Sequence, residues 1–216
     1  MTHTDPLAES GALAIAVAVR HAVRSQTGQI DARELLNELR AAITDAEWLE
    51  IFDQIEAAIG ANLSPTEFGI KMGWGYRDRS THQVRLRGVS GFICHTIAAA
   101  LFCWLRWSTE FRRPVEEVIL MGGDTDSTAA IVGGLAGATL GVTAIPQEWL
   151  DTMIDWPTSI SWLRRFSTEL HIAFGSDKFV VPPNVLQVPW LLLLWRNWFF
   201  VVVVLVHVLR RMLPPY

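Results

Sequence analysis

The chain has 216 residues and a formal net charge of −4, and this length suits one domain with a sizeable core. The slight acidity argues against the basic surface that nucleic-acid-binding proteins present, so we expect no nucleic-acid partner. Hydrophobic residues make up 50% of the chain, 10 of them Trp, and the mean hydropathy is +0.26. This apolar excess is high for a soluble protein, and the C-terminal tail accounts for much of it.

The first part of the sequence predicts a succession of helices. Asp5 followed by Pro6 begins a helix that reaches about Arg24. Three later pairs have the spacing of a capping box and open three further helices: Asp31 with Glu34, Thr44 with Glu47, and Ser64 with Glu67. Residues 74–87 are polar and Arg-rich and show neither helical nor strand periodicity, which predicts a loop. The arginines of this loop could bind a diphosphate. Runs of charged residues are more often solvated surface, and we favour that interpretation.

Residues 90–107 are apolar on nearly every helical face, which predicts a central buried helix. The two cysteines, Cys94 and Cys103, lie in it about half a turn out of phase, so they cannot bridge within the helix. We expect both to be core residues, and the polar opening of the sequence shows no signal peptide, which favours a cytoplasmic location. Shorter helices are predicted at the following ranges: 115–120, 147–154 and 159–172.

Residues 121–128 read Met-Gly-Gly-Asp-Thr-Asp-Ser-Thr and form the most informative segment of the chain. Two carboxylates and neighbouring hydroxyls precede a Gly/Ala-rich helix predicted over residues 129–137, whose N-terminus lies beside them. Gly122 and Gly123 allow a sharp turn and a close approach to a ligand. Oxygen ligands crowded in this way indicate a hard-cation site.

Three other interpretations compete for the same segment. A helix N-cap needs one such side chain, and the segment supplies several. An EF-hand loop counted from Asp124 needs Gly at its sixth position and Glu at its twelfth, where Ala129 and Leu135 stand. A phosphatase of the haloacid-dehalogenase kind uses Asp-x-Asp-x-Thr, which residues 124–128 match formally. That enzyme needs a strand ending at its first Asp, whereas two glycines intervene here.

Three segments resemble the ADP-ribosylglycohydrolase family in family order. Residues 122–138, with Gly141 and the Ala-Ile-Pro-Gln-Glu-Trp-Leu run at 144–150, resemble its C-terminal signature. Residues 87–92 with His95-Thr96 look like the segment before its penultimate core helix, and residues 2–6 look like a segment from the middle of the family domain. The resemblance implies an all-α, compact multi-helix bundle, here in part. Since the family's Thr-Asp-Asp-Thr-like N-terminal string does not occur, the chain is expected to be a C-terminal portion, a truncated product or half of a split arrangement.

The resemblance also implies a function. Family members bind two Mg²⁺ or Mn²⁺ ions and cleave the glycosidic bond of ADP-ribosylated side chains or related compounds. Carried over by position, Asp124 and Asp126 are the expected catalytic residues and, with Ser127, the expected metal ligands. Six further residues are expected to line the ADP-ribose cleft: His3, Gly88, Ser90, Phe92, Gly122 and Gly123. The alternative is a catalytically incomplete module that binds ADP-ribose or serves in interaction.

The segment from Val188 to Leu209 is almost entirely Leu, Val, Phe and Trp. Arg196 and Asn197 interrupt it, and the uninterrupted run from Trp198 spans about 18 Å, short of the ~30 Å hydrocarbon core. A membrane-interface or tilted anchor through residues 188–213 and a helix buried against the body or a partner chain remain equal alternatives. The predicted organisation is an ADP-ribosylglycohydrolase-like portion at 1–175, a linker at 176–187 and a hydrophobic tail helix at 188–216.

Overall fold

Helices account for nearly all regular structure in the computed structural model, which describes residues 5–25, 28–153, 156–175 and 190–212. The chain divides into two compact units, residues 1–146 and 147–216. In the first unit the elements are α1 (Pro6–Arg24), α2 (Ala32–Ala42), α3 (Ala46–Gly60), α4 (Pro65–Gly69), a π-helical turn (Ile70–Trp74), β1 (Gly75–Arg77), β2 (Val84–Leu86), α5 (Ile93–Arg106), α6 (Arg112–Leu120), α7 (Thr125–Leu140) and a 3₁₀ turn (Val142–Ala144). The predicted all-α class is confirmed.

Side-chain caps begin the early helices, as the sequence predicts. Asp5 accepts the amide of Leu7 at the start of α1, and Asp31 accepts two amides at the start of α2. Ser64 and Glu67 form the full capping box of α4, in which the Glu67 carboxylate accepts the Ser64 amide at 2.8 Å. The prediction for the pair Thr44 and Glu47 was wrong by one residue, because Asp45 rather than Thr44 caps α3. A carboxylate one position later satisfies the same free amides and carries charge that the helix dipole favours.

Helix α5 lies at the centre of the first unit and packs against α1, α3, α6 and α7. Ten consecutive residues from Thr96 to Leu105 are buried, so no face of the helix reaches solvent there. Its start at Ile93 lies three residues after the predicted one, because residues 90–92 form a turn instead. The position of α5 fixes the segment before it against the N-terminus of α7.

The predicted loop at residues 74–87 is wrong in part, since β1 and β2 pair as an antiparallel hairpin. Asp78 organises its turn: the carboxylate accepts the Ser80 hydroxyl and the amides of Ser80 and Thr81. These hydrogen bonds lower the pKa of Asp78 to about 2. The four arginines of the segment are exposed, as a solvated surface requires, and the Arg85 guanidinium lies 3.7 Å from the second carboxylate oxygen of Asp78.

Glu38 joins α2 to α1 through hydrogen bonds to His21 at 3.1 Å and Arg20 at 3.0 Å. These two bonds, that of His21 first, lower the pKa of the Glu38 carboxyl. A carboxyl whose pKa is lower in the folded state stabilises the fold above its unfolded pKa, and this stabilisation disappears as the pH falls through the folded value.

We therefore expect Glu38→Gln to lower the free energy of unfolding at pH 7 by up to about 1 kcal/mol, the usual range for a half-exposed pair. The difference from the unchanged chain should shrink as the pH falls below about 4.5, an ordinary value for Glu. Urea unfolding at several pH values measures both quantities. Glu34→Gln, on the same helix, is the matched control, and equal pH profiles for the two variants would contradict the assignment.

The second unit contains α8 (Gln147–Thr152), α9 (Ile160–Phe174) and α10 (Trp190–Met212). The predicted helices at 147–154 and 159–172 agree with α8 and α9 within two residues, and α10 realises most of the predicted tail helix. The predicted linker at 176–187 lies outside the described residues, so the three-part organisation stays a prediction.

In the first unit Cys94 and Cys103 are free and buried, which confirms them as core residues, and burial raises the pKa of the Cys94 thiol to about 12.

Candidate active site

Two glycine-containing segments cross backbone to backbone before the N-terminus of α7. Val89 donates its amide to the Gly122 carbonyl at 2.9 Å, and Asp124 donates its amide to the Val89 carbonyl at 2.7 Å. Gly88, Gly122 and Gly123 all have positive φ, at 110°, 75° and 85°, a region that favours glycine. A Cβ on Gly123 would lie 2.0 Å from the Val89 oxygen. The absence of a side chain at Gly123 is therefore what permits the crossing.

Two acidic side chains, two positions apart in the sequence, follow the crossing directly. Asp124 is half-buried at the N-cap position of α7, and Asp126 is exposed in its first turn. The Asp126 carboxyl has a lowered pKa, chiefly because of a side-chain hydrogen bond with Asp124 and then because of the backbone amides of Asp126 and Ser127. Two carboxyl groups this close repel each other unless a proton or a cation lies between them. Within the described residues neither forms a salt bridge with Arg, Lys or His.

This donor set fits a divalent cation in part. Ser127 adds an exposed hydroxyl oxygen next to the two carboxylates in sequence, and hard cations accept such oxygens. Mg²⁺ takes six oxygen ligands and usually keeps several waters, so three protein ligands are compatible with it. The described residues contain no group of three or more His, Cys, Asp or Glu side chains that could hold a metal. A cation here would depend on Asp124, Asp126, hydroxyl groups and water.

Asp124 does not act as a side-chain N-cap, so the simplest interpretation of the motif does not account for it. Asp126 takes part of that role by accepting the two backbone amides. The buried Thr128 turns its hydroxyl inward and donates to the Asp124 carbonyl at 2.8 Å. Thr128 is therefore a structural residue of the helix, whereas the two aspartates are left to face the surface.

The structure does not meet the requirement of the phosphatase interpretation for a strand that ends at the first Asp. The segment before Asp124 is the C-terminus of α6 followed by the two glycines, not a strand that ends at a nucleophile. In the described part of the chain the only sheet is the two-stranded hairpin of β1 and β2. The doubly wound parallel sheet that such a phosphatase needs is not among these elements.

The turn at residues 90–92 forms the other wall of the site. A Cβ on Gly91 would lie 3.2 Å from Oδ2 of Asp124, so the carboxylate lies close to the side of the turn that glycine leaves open. Phe92, at the end of this turn, is 42% exposed. The structure thus brings Gly88 and Gly91 close to Gly122, Gly123 and Asp124. Ser90 and Phe92 belong to the same turn as Gly91, and Asp126 and Ser127 belong to the first turn of α7. The predicted His3 lies outside the described residues.

His95 is a residue of this wall to which the sequence interpretation gave no role. Its Nδ1 lies 2.8 Å from the Ser90 hydroxyl, and its ring packs against Trp74 at 4.9 Å and Phe92 at 5.4 Å. Burial lowers the pKa of His95, which favours the neutral ring. The five-residue spacing of Ser90 and His95 across a turn and a helix start is the signal that indicates this pair.

Comparisons with known proteins point to one family. Residues 1–178 match the family described as ADP-ribosylglycohydrolase. The chain is 36% identical over 103 residues to the ADP-ribosylarginine hydrolase Tri1 of Pseudomonas putida, covering 47% of this chain and 26% of that protein. It is 25% identical over 166 residues to the ADP-ribosylhydrolase ARH3 of Bos taurus, covering 69% and 44%.

A third relative is the ADP-ribosyl-[dinitrogen reductase] glycohydrolase of Rhodospirillum rubrum, which is 38% identical over 64 residues, or 30% of this chain and 21% of that protein. The chain spans less than half the length of each of these relatives. No solved structure matches the chain significantly.

Proposed function

Because the chain belongs to the ADP-ribosylglycohydrolase family, we propose that it hydrolyses the glycosidic bond between ADP-ribose and a protein side chain. The observation that carries the proposal is the convergence of Asp124 and Asp126 at the N-terminus of α7, against the turn at residues 90–92. The two aspartates are neighbours in sequence, and the crossing of two segments 34 positions apart places the turn at residues 90–92 beside Asp124. Such a constellation suits a reaction site better than a helix cap.

We propose Mg²⁺, or Mn²⁺, as the cofactor, held by Asp124, Asp126 and Ser127, with two ions in a complete site. A bound divalent cation supplies Lewis-acid polarisation to the reacting centre. The two carboxylates neutralise its charge, and the lowered pKa of Asp126 keeps that carboxyl ionised at neutral pH. The exposed side of the pair leaves access for the substrate and for water.

The wall at residues 88–92 is proposed to bind the ADP-ribose part of the substrate. Backbone at Gly88, Gly122 and Gly123 carries no side chain, so a ligand can approach it closely. The Ser90 hydroxyl is oriented by His95, and Phe92 offers an exposed ring for contact with ribose or base. His95 is proposed as a positioning residue because it acts through Ser90.

The relatives' names support a proposal for the substrate class. Two of them name arginine or dinitrogen reductase as the carrier of ADP-ribose. We propose an ADP-ribosylated protein as the substrate of this chain, in the cytoplasm, and ADP-ribosylarginine as the first substrate to test.

A second candidate function is an ADP-ribose-binding module without turnover. The observation that favours it is the donor set itself, because two carboxylates and one hydroxyl, each giving one oxygen, supply only half of the six ligands that Mg²⁺ takes. Binding of ADP-ribose needs only the wall at residues 88–92, whereas hydrolysis also needs the cation.

One experiment separates the two functions. The purified chain is incubated with an ADP-ribosylarginine peptide, either with Mg²⁺ at about 5 to 10 mM, which is meant to saturate the site, or with EDTA, which removes the metal. The ADP-ribose that is released is measured by chromatography. Release that depends on Mg²⁺ supports the hydrolase. Binding of ADP-ribose by calorimetry without release supports the module, and neither binding nor release would contradict both.

The tail is proposed to associate with a membrane. Helix α10 has 23 residues and a mean hydropathy of 2.0 in its most apolar window, and none of that window is buried. It is the one helix among the described residues whose length and composition suffice to cross a bilayer. An apolar surface of this extent needs a cover, and lipid provides one.

A further inference from the structure

The polar residues of α10 share one side of the helix. The helix contains five of them: Arg196, Asn197, His207, Arg210 and Arg211. At about 100° per residue, all five fall within an arc of about 140°, and His207 lies three turns along from Arg196, only about 20° away. Every residue on the remaining arc of about 220° is apolar. We name the five residues the basic stripe.

The charge of the stripe has one sign. It contains three arginines and one histidine, and α10 contains no Asp or Glu. The arginines stand near both ends, separated by about 22 Å at 1.5 Å per residue. Anionic lipid headgroups therefore match the stripe along its length.

The opposite face is built for the acyl region of a lipid surface. It is apolar throughout and includes Trp195 and Trp198, each more than 60% exposed. Trp190 borders the stripe, where it would lie near the boundary between headgroups and hydrocarbon that Trp side chains prefer. The stripe side also carries apolar residues, among them Phe200 and Val203, so the helix would sink until only its charged groups reach the headgroups.

A spanning orientation uses these features less well. It would place Arg196 about 9 Å inside the N-terminal end of the helix, and a charged residue within the hydrocarbon costs up to about 3 kcal/mol. Alignment of all polar groups along one side has no use in a helix surrounded by lipid.

We infer that α10 lies in the plane of an anionic membrane surface, with the basic stripe against lipid phosphates and the opposite face in the acyl region. This inference rests on the proposed membrane association and specifies its orientation and lipid class.

The test is flotation of the full chain with vesicles of phosphatidylcholine alone or with 30% phosphatidylserine, at low salt and at about 1 M NaCl. We expect binding to the anionic vesicles only, and release by high salt. Arg210→Gln/Arg211→Gln should weaken binding roughly ten- to thirty-fold, at about 1 kcal/mol per charge. Arg164→Gln/Arg165→Gln, which removes the same charge from α9, is the matched control and should change binding less than three-fold.

The outcomes separate the orientation from the association. Equal binding to both vesicles, resistant to salt and to alkaline carbonate, would overturn the in-plane orientation and leave the membrane association in place. Failure to float with either vesicle would overturn both. An equal loss of binding in the two double variants would show that vesicle binding depends on the net charge of the chain and not on the basic stripe, and would overturn the in-plane orientation.

Discussion

Asp126→Ala is expected to abolish ADP-ribose release, lowering kcat/KM by at least about 10²-fold. The magnitude follows because residues that only support a metal ligand already cost 10- to 100-fold when they are replaced. Asp126 would lose two roles at once, because its carboxyl lies against Asp124 and also accepts the amides of residues 126 and 127. Steady-state kinetics of the peptide assay at saturating Mg²⁺ measure the effect.

The structural part of that loss can be removed by a second variant. Asp126→Asn retains an oxygen that accepts the two amides but has no charge for a cation, so its Tm should lie within about 2 °C of the unchanged chain. Its activity should still fall as far as that of Asp126→Ala. Asp151→Asn, in the second unit, is a control for charge and should leave kcat/KM unchanged. Full activity in Asp126→Asn would contradict the cation site.

The largest effect on stability is expected for Gly123→Ala. The new Cβ would lie 2.0 Å from the Val89 oxygen and 2.6 Å from its nitrogen, and backbone atoms cannot swing aside as a flexible side chain does. Both hydrogen bonds of the crossing should break, at about 1 kcal/mol each, in addition to about 1 to 2 kcal/mol for the left-handed φ. The free energy of unfolding should therefore fall by about 3 kcal/mol or more.

Gly122→Ala is the matched control for this substitution. Gly122 has nearly the same φ, 75° against 85°, but no atom would lie within 4 Å of its Cβ. Only the cost of the left-handed φ remains, about 1 to 2 kcal/mol. Guanidinium unfolding of the two variants gives the difference directly. If the two variants are equally destabilised, the close crossing with Val89 does not exist in solution.

The sequence predicted the helices well where short-range chemistry decides them. Capping side chains at Asp5, Asp31 and Ser64 mark helix starts because they satisfy free amides within three residues. The central position of α5 followed from its apolar faces, since only a helix enclosed on every side can carry them. The acidic motif at residues 124–127 was recognisable for the same reason, because all its members are neighbours in sequence.

The hairpin, the crossing and the pair of His95 with Ser90 depend on contacts that the local sequence pattern does not specify. The strands β1 and β2 have three residues each, too few for a period of two to be detected. The crossing of Val89 with Gly123 joins residues 34 positions apart, and nothing local specifies its register. The pairing of His95 with Ser90 depends on the turn that starts α5 late, and the five-residue spacing indicates the pair only once that turn is known.

The crossing before α7 also constrains how the site moves. Its two hydrogen bonds alternate between the segments, since Val89 donates to one side of Gly123 and accepts from the other. Neither segment can be displaced from its neighbour by more than a fraction of an ångström without losing both bonds. Any rearrangement on substrate entry must therefore move the turn at residues 90–92 and the first turn of α7 together, as one rigid element.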